Sequence, residues 1–271
     1  MDDQASSSRQ TNDPFASVRI PEYRNLLMGR FTFIMALRMM STLVGWWIYQ
    51  LTKDPFAIGL IGLSEVIPAL SMALYSGHVI DISEKRRLLL KGVFFYTCAA
   101  AILMALSTSA ISNRISNHYI AYCIYAVIFC TGIIRSFTGP VFSALIAPIV
   151  PRSHLQNATT WSQGTWLSAS VTGHATGGFL IALFGNTITL AVIVTMLVVG
   201  FSVLSRIKSK PPQEQKGDKK TWESVKEGLR FVFRTKELLG AMALDMFAVL
   251  FGGAVAMVPV YASDILKVGP M

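Results

Sequence analysis

The chain has 271 residues, of which 52% are hydrophobic and only 14% are charged. A soluble domain carries roughly a quarter charged residues because its surface faces water, so this composition excludes an ordinary soluble protein. The net charge of +9 does not indicate nucleic-acid binding, because the basic residues lie at the ends of apolar blocks and in one central loop. We therefore predict an all-α, polytopic membrane protein.

The first 24 residues are polar and lack the apolar core of a signal peptide, which predicts a disordered cytoplasmic tail over residues 1–24. Seven apolar blocks follow, each long enough for a helix to cross a bilayer, which takes roughly 20 residues. The blocks are Leu26–Gln50, Ala57–Ile80, Leu88–Ser107, Tyr119–Ile149, Trp161–Phe184, Thr187–Ser205 and Leu238–Tyr261.

These blocks divide the chain into domains. We expect residues 25–205 to form a six-helix transmembrane bundle, and residues 238–271 to contain the first helix of a second bundle. Residues 206–237 are predicted to be a basic cytoplasmic linker, because they contain two prolines and alternating charges. Within this linker, Trp222–Lys236 has apolar residues at helical spacing with basic residues around them. This pattern predicts either an amphipathic helix on the membrane surface or an extension of the seventh helix.

The distribution of Lys and Arg between the blocks predicts which helix ends face the cytoplasm. With the amino terminus inside, the outer segments contain only Lys53, Arg114 and Lys267, whereas the basic clusters all fall on the cytoplasmic side. We therefore predict a multi-pass protein of the inner (plasma) membrane with a cytoplasmic amino terminus.

The sequence contains no pattern typical of catalysis or of cofactor binding. Cys98, Cys123 and Cys130 lie inside apolar blocks without metal-ligand spacing, so we expect neither a metal nor a disulfide. The phosphate-binding pattern G-x-x-x-x-G-K-[ST] and the metalloprotease pattern H-E-x-x-H are both absent. We expect no cofactor, no enzymatic activity and no ATP-driven transport within this chain.

We select five ionisable residues inside the apolar blocks as functional candidates, because a charge in a bilayer is costly. They are Arg38, Glu65, Arg135, His174 and Asp245. The first two helices run in opposite directions, which places Arg38 and Glu65 within roughly 6 Å of the same depth. The sequence therefore predicts a pair between these two residues.

Each candidate has a functional and a structural interpretation. Protonation of Glu65 would release Arg38 to bind an anionic substrate group, or the two residues would only neutralise one another. Arg135 either has a transport role or extends its charge to the cytoplasmic face. His174 either takes up a proton near physiological pH or is a hydrogen-bonded packing residue. Asp245 either carries a proton or pairs with a basic residue of the second bundle.

Two motifs resemble those of the major facilitator superfamily. The stretch Gly77-His-Val-Ile-Asp-Ile-Ser-Glu-Lys-Arg-Arg-Leu88 resembles the signature loop G-x-L-A-D-R-x-G-R-R-x-L, with Ile82 and Glu84 as departures. The stretch Gly173-His-Ala-Thr-Gly-Gly178 resembles the helix-five motif G-P-x-x-G-G of its antiporters, with a histidine in place of the proline. A third stretch, Gly139–Ala158, is similar to a pattern in exporters related to the enterobactin and macrolide efflux proteins.

The resemblance implies a major facilitator fold, in which two pseudo-symmetric halves of six helices enclose the transport path. It implies that Gly77 permits close approach of a helix end, and that small residues in helix five permit close helix packing. It implies that the charged loop residues form a cytoplasmic latch between helices, and that Arg135 matches an arginine linked to proton coupling. The residues concerned are Gly77, Asp81, Lys85, Arg86 and Arg87 in the loop, and Gly173, Gly177 and Gly178 in helix five.

These observations together predict a secondary active transporter. We expect a proton-coupled exporter of a small organic molecule, siderophore or drug-like, that works by alternating access in the lipid bilayer. Because the sequence ends at Met271, after the seventh block, we expect a full path to need the missing C-terminal half or a partner chain. The alternative is a truncated or partner-dependent membrane protein without transport activity of its own. A seven-helix receptor is disfavoured, since its amino terminus would lie outside.

Overall fold

The computed structural model describes residues 13–209 and 230–251 of the chain. Within these ranges the chain is predominantly helical and contains no strand, which confirms the predicted all-α class. The helices are α1 (Pro21–Thr52), α2 (Pro55–Ile82), α3 (Lys85–Ser107), α4 (Ser109–Ser112), α5 (Asn117–Ala144), α6 (Ile146–Ile149), α7 (Leu155–Leu204) and α8 (Lys236–Phe251), with a 3-10 turn at Arg152–His154.

The protein is a multi-pass membrane protein. Five segments of the described chain are long and apolar enough to cross a bilayer, and they contain most of the first six predicted blocks. The segments are Pro21–Thr52, Pro55–Ala73, Lys85–Ser107, Asn117–Ile149 and Arg152–Leu204. The seventh block is represented by α8, and its remaining residues lie outside the described part. Residues 230–234, at the end of the predicted amphipathic helix, are helical, and the rest of that helix is not described.

The longest helix, α7, is interrupted at the position where the sequence predicts a connection between two helices. Gly185 has a φ of 73° and a ψ of −176°, a conformation that residues with a side chain rarely adopt. The predicted fifth and sixth helices are therefore separate helical stretches, 155–184 and 186–204, joined at this glycine.

The contacts of α7 with α1 show that the chain reverses direction at Gly185. Tyr23 donates to the carbonyl oxygen of Ala158, and farther along α1 the hydroxyl of Thr42 lies 2.8 Å from Nδ1 of His174. The stretch 155–184 therefore runs parallel to α1. The later stretch runs the opposite way, since Gly200 lies beside Thr32 and Leu204 lies beside Gly29.

The other helices pack around α1 and the two stretches of α7. α2 runs parallel to α5, with the hydroxyl of Tyr125 donating to the carbonyl oxygen of Ala57 at 3.0 Å. α3 packs against both α5 and α7. The carbonyl oxygen of Thr131 in α5 accepts a hydrogen bond from the hydroxyl of the buried Tyr96 of α3 at 3.2 Å. Both α1 and α3 therefore reach the centre of the bundle.

The segment before α1 is fixed to the start of α7. The hydroxyl and backbone N–H of Ser17 donate to Oδ1 of Asn157, at 2.5 and 3.3 Å. Nδ2 of Asn157 and Nε1 of Trp161 both donate to the carbonyl oxygen of Pro14, at 2.8 and 2.7 Å. The ring of Phe15 lies 5.4 Å from that of Trp161. We call residues 13–20 the amino-terminal strap.

The strap corrects the predicted boundary of the cytoplasmic tail. α1 begins at Pro21, a residue suited to the first helical turn because its backbone lacks the N–H that would have no partner there. Residues 13–24 of the predicted tail 1–24 are therefore ordered, and residues 1–12 lie outside the described part of the chain.

The basic segments gather at one end of the bundle, where α1, α3 and α7 begin. There the backbone N–H of Lys208 donates to Oε1 of Glu22 at 3.0 Å. Nη2 of Arg86 donates to the carbonyl oxygen of Ser205 at 2.7 Å, which ties the start of α3 to the end of α7. We call this end the basic face. Its cytoplasmic location stays a prediction.

Candidate functional site

A cavity of about 270 Å³ opens among α1, α2, α3, α5 and α7, near the middle of the bundle. Its wall combines charged groups with aromatic rings, a mixture suited to binding a small organic molecule. Prominent among the residues that line it are Arg30, Arg38, Glu65, Tyr96, Arg135 and Trp166. Three of the five ionisable residues predicted from the sequence therefore share one site.

Glu65 forms an ion pair with Arg135, between Oε1 of the glutamate on α2 and Nη1 of the arginine on α5. Both side chains are partly exposed at the cavity, by 30% for Glu65 and 47% for Arg135. The predicted partner of Glu65 was Arg38, and that prediction is wrong. The reason is that α2 packs on α5, which brings Arg135 to the carboxylate. Arg135 therefore points into the cavity instead of reaching the basic face.

Arg38 lines the same cavity from α1 without forming an ion pair with a described residue. Its Cζ atom lies 5.6 Å from the ring centroid of Trp166, within the range of a cation–π contact. It is close enough to Glu65 and Arg135 to interact with both electrostatically. The site thus contains one neutralised arginine and, next to it, one arginine held against an aromatic ring.

Glycine residues set the helix spacing that brings these groups together. A Cβ atom on Gly132 of α5 would collide with the backbone carbonyl oxygen of Glu65 and would lie 2.7 Å from Cγ of Pro68. α2 and α5 are therefore in backbone contact one turn away from Arg135. Gly132 was not among the residues predicted from the sequence, because a single glycine in an apolar block has no distinctive pattern.

Two of the helix-five glycines lie against the backbone and side chains of α1. A Cβ atom on Gly173 would lie 2.7 Å from Cβ of Arg38, and one on Gly177 would lie 2.9 Å from Cα of Met39. Gly178 is also buried. These small residues let α7 approach α1 at the level of Arg38.

A third arginine, Arg30, lines the cavity closer to the basic face. It was not among the candidates predicted from the sequence. Its Nη1 donates to the hydroxyl of Ser162, and its Cζ lies 5.8 Å from the ring centroid of Phe142. The residue is 9% exposed, and its Nε has no hydrogen-bond partner among the described residues. Since Arg30 lies inside the first apolar block, the rule that identified Arg38 applies to it as well.

His174 lies beside the cavity but is not part of its lining. The Thr42 hydroxyl lies 3.1 Å from the carbonyl oxygen of Arg38 and 2.8 Å from Nδ1 of His174. The tautomer of the histidine sets which of the two side chains donates in the second contact. The histidine is half-buried and supports the helix turn that carries Arg38.

Asp245, the fifth candidate, does not join this site. It lies on α8, where its side chain is exposed, and it is absent from the cavity lining. A role for Asp245 in proton transfer therefore stays a prediction.

The loop that resembles the superfamily signature forms only part of the expected latch. Besides the bond from Arg86 to α7, Nε of Arg87 pairs with Oε2 of Glu84 at 2.5 Å, and Oε1 of Glu84 accepts from the Ser209 hydroxyl at 2.5 Å. Lys85 begins α3. Within the described chain, Glu84 therefore supplies the carboxylate of the latch, although the superfamily signature has a glycine at this position.

Two residues of this loop do not make the expected contacts. Asp81 is exposed at the end of α2 and forms no ion pair with a described residue. Around Gly77, no described atom lies within 4 Å of the position that a Cβ would occupy. The expected close approach at Gly77 is therefore not found, because Gly77 lies on an exposed side of α2, whereas Ser76 and Ile80 of the same helix are buried.

The described residues contain no group of three or more His, Cys, Asp or Glu side chains that could hold a metal ion. The three cysteines are free, with Cys98 half-buried and both Cys123 and Cys130 exposed.

Comparison with known proteins identifies the family of the chain. A model of the transmembrane secretion effector family matches residues 12–271, which include every helix described above. None of the curated proteins compared with the chain matches it. The closer relationship to enterobactin and macrolide exporters stays a prediction. The chain belongs to the transmembrane secretion effector family and is a transporter of the major facilitator superfamily.

Proposed function

We propose that the protein is a secondary active transporter that exports a small organic molecule and couples this movement to protons at Glu65. One observation carries the proposal: Glu65 and Arg135 form an ion pair on the wall of a central cavity, near the middle of two membrane-length helices. Ionisable groups at this depth are costly unless paired, and they are typical of ion and substrate pathways.

Protonation of Glu65 changes the charge of the cavity by one unit and ends its ion pair with Arg135. The arginine then becomes available to another anionic group, and the attraction between α2 and α5 weakens. A proton thus alters both ligand binding and helix packing at one place. This is the differential interaction that a two-state transporter needs in order to shift between conformations.

Alternating access further requires a second wall for the path. We propose that residues 238–271 begin a second bundle and that residues 206–237 link it to the first. We also propose that the basic face is cytoplasmic in the inner membrane, because its Lys and Arg residues follow the positive-inside rule.

The test is substrate-dependent proton movement in liposomes that contain the full chain. Three probes with one aromatic body and permanent charge states are added outside: naphthalene sulfonate, naphthalene methanol and naphthylmethyl trimethylammonium. A trapped pH dye reports proton flux in the wild type, in Glu65→Gln and in Glu237→Gln. The last variant makes the same chemical change at an exposed residue of α8, outside the cavity.

We expect at least one probe to cause proton flux in the wild type and in Glu237→Gln, and none to do so in Glu65→Gln. Proton flux that persists unchanged in Glu65→Gln would show that Glu65 is not the coupling residue. Absence of flux with all three probes in the wild type would contradict proton-coupled transport of small aromatic molecules.

A further inference from the structure

The charges that line the cavity do not balance. Three arginines face one glutamate, so the described lining carries two more positive charges than negative ones. The pair with Glu65 accounts for Arg135. Neither Arg30 nor Arg38 forms an ion pair with a described residue.

This imbalance matters because the cavity lies among apolar, membrane-length helices. A buried charge that is not paired costs several kcal/mol, which is why buried cations normally have a counter-charge. Arg30 is 9% exposed and has a buried Nε without a hydrogen-bond partner. Its unused donor is a specific site for an acceptor atom that the described residues do not supply.

Aromatic rings lie beside the two arginines without a carboxylate partner. Trp166 lies against Arg38, and Phe142 lies against Arg30, at 5.6 and 5.8 Å between guanidinium carbon and ring centroid. Trp166 is 36% exposed and lines the cavity, so its surface is available to a ligand. A molecule bound here meets guanidinium donors and flat apolar surface together.

We propose that the cavity binds an organic anion: a small molecule with a carboxylate, sulfonate or similar group attached to an aromatic or other apolar body. The anionic group pairs with Arg38 in the positive field of Arg30, and the body packs against the exposed surface of Trp166. The inference rests on the proposed transport function for its physiological meaning. It concerns equilibrium binding only, and that can be measured without transport.

The negative charge that balances these arginines could have two other sources, and each predicts a different result in a binding experiment. Carboxylates outside the described residues would neutralise the arginines internally, and the cavity would then show no preference for anions. The headgroup of an anionic lipid would occupy the same positions as a free organic anion. The experiment separates these sources by the charge of the probe and by the lipid.

The experiment measures the binding of the three naphthalene probes to the full chain in nanodiscs of zwitterionic phosphatidylcholine. We expect the sulfonate to bind at least about tenfold more tightly than the methanol or the trimethylammonium compound, which corresponds to about 1.4 kcal/mol. Equal or tighter binding of the neutral or cationic probe would overturn the proposal. This order is measured on the wild type and does not depend on any variant.

Variants then locate the anion site. Arg38→Gln should remove most of the preference for the sulfonate while changing the affinity for the neutral probe less than about twofold. Arg114→Gln is the matched control, since it removes the same charge from an exposed turn at the other end of the bundle. An equal loss in both variants, or no loss in Arg38→Gln, would overturn the assignment.

A final arm replaces part of the lipid with anionic phosphatidylglycerol at constant ionic strength. Unchanged sulfonate affinity supports a free organic anion as the ligand, and strong competition by the lipid overturns it. If the proposed transport function is wrong and the inference is right, the sulfonate will bind selectively, yet no probe will cause proton flux. Proton flux caused only by the cationic probe would refute the inference and leave proton coupling intact.

Discussion

Gly132 of α5 lies in direct contact with the backbone carbonyl of Glu65 in α2, and this contact determines which arginine the glutamate meets. Arg135 follows Gly132 by three residues, close to one turn of the helix, and therefore projects on the same side. Any side chain at position 132 would separate α2 from α5. The ion pair of the cavity thus depends on a residue that carries no functional group.

Replacing this glycine should separate the two helices. We expect Gly132→Ala to lower the melting temperature of the detergent-solubilised protein by several degrees, because the new Cβ meets a backbone oxygen that cannot move aside. Gly139→Ala, on the same helix, should have little effect, since no described atom lies within 4 Å of its Cβ position. Equal melting temperatures for the two variants would contradict the contact.

The ion pair should show a favourable coupling energy. In a double-mutant cycle of Glu65→Gln and Arg135→Gln, we expect each single variant to lose stability and the double variant to recover part of the loss. The expected coupling is about 0.5–3 kcal/mol, measured by unfolding in sodium dodecyl sulfate. The reason is that each single variant leaves one charge without its partner.

The pair between Arg87 and Glu84 provides a comparison for that cycle. Arg87 is 76% exposed, and an exposed pair contributes about 0–1 kcal/mol. A larger coupling at this surface pair than at the cavity pair would mean that the cavity pair is solvated like a surface one.

Gly185 should be essential for the reversal of the chain within α7. We expect Gly185→Ala to destabilise the protein by about 1–3 kcal/mol, because its φ of 73° with ψ near 180° is almost restricted to glycine. Gly164→Ala is the control in the regular part of the same helix, where there is open space at the Cβ position. Unfolding in sodium dodecyl sulfate measures both. A stable Gly185→Ala protein would show that this backbone conformation is not required.

Binding of naphthalene sulfonate should become tighter when the charge of Glu65 is removed. Glu65 faces Arg135 from α5, Arg38 from α1 and Tyr96 from α3, and it is the only carboxylate in the described lining. The affinity of Glu65→Gln, measured at a fixed neutral pH, should therefore exceed that of the wild type, because Arg135 loses its carboxylate partner and becomes available to the sulfonate.

His174→Gln provides the comparison, because His174 lies beside the cavity without being part of its lining. We expect this variant to bind the sulfonate with nearly the wild-type affinity. An affinity in Glu65→Gln equal to or weaker than that of the wild type would contradict the prediction.

The amino-terminal strap should be released by a single substitution. Asn157→Ala removes the acceptor for Ser17 and a donor to the carbonyl oxygen of Pro14. We expect faster tryptic cleavage at Arg19, followed by mass spectrometry, because local opening exposes the backbone to the protease. Gln156→Ala, at the exposed neighbouring position, should be cleaved at the wild-type rate. Equal rates for the two variants would show that the strap does not depend on Asn157.

Much of the fold was predictable because a bilayer imposes simple rules on sequence. The apolar blocks, the polar interruptions and the connection at Gly185 correspond to the described helices, since a membrane helix must satisfy its backbone internally over a fixed length. The boundary of the tail was wrong because polar residues of the strap are stabilised by side chains of α7, distant in sequence.

The sequence by itself determined that Arg38, Glu65 and Arg135 are candidate functional residues, because a charged residue inside an apolar block can be recognised without a structure. Only the tertiary structure decided which of them pair. Helix depth can be counted along the chain, but the rotation and spacing of neighbouring helices depend on contacts such as that of Gly132 with Glu65. Those contacts also decided that Arg30 joins the cavity and that His174 supports it from outside, since neither side-chain direction nor helix neighbours can be calculated from residue spacing alone.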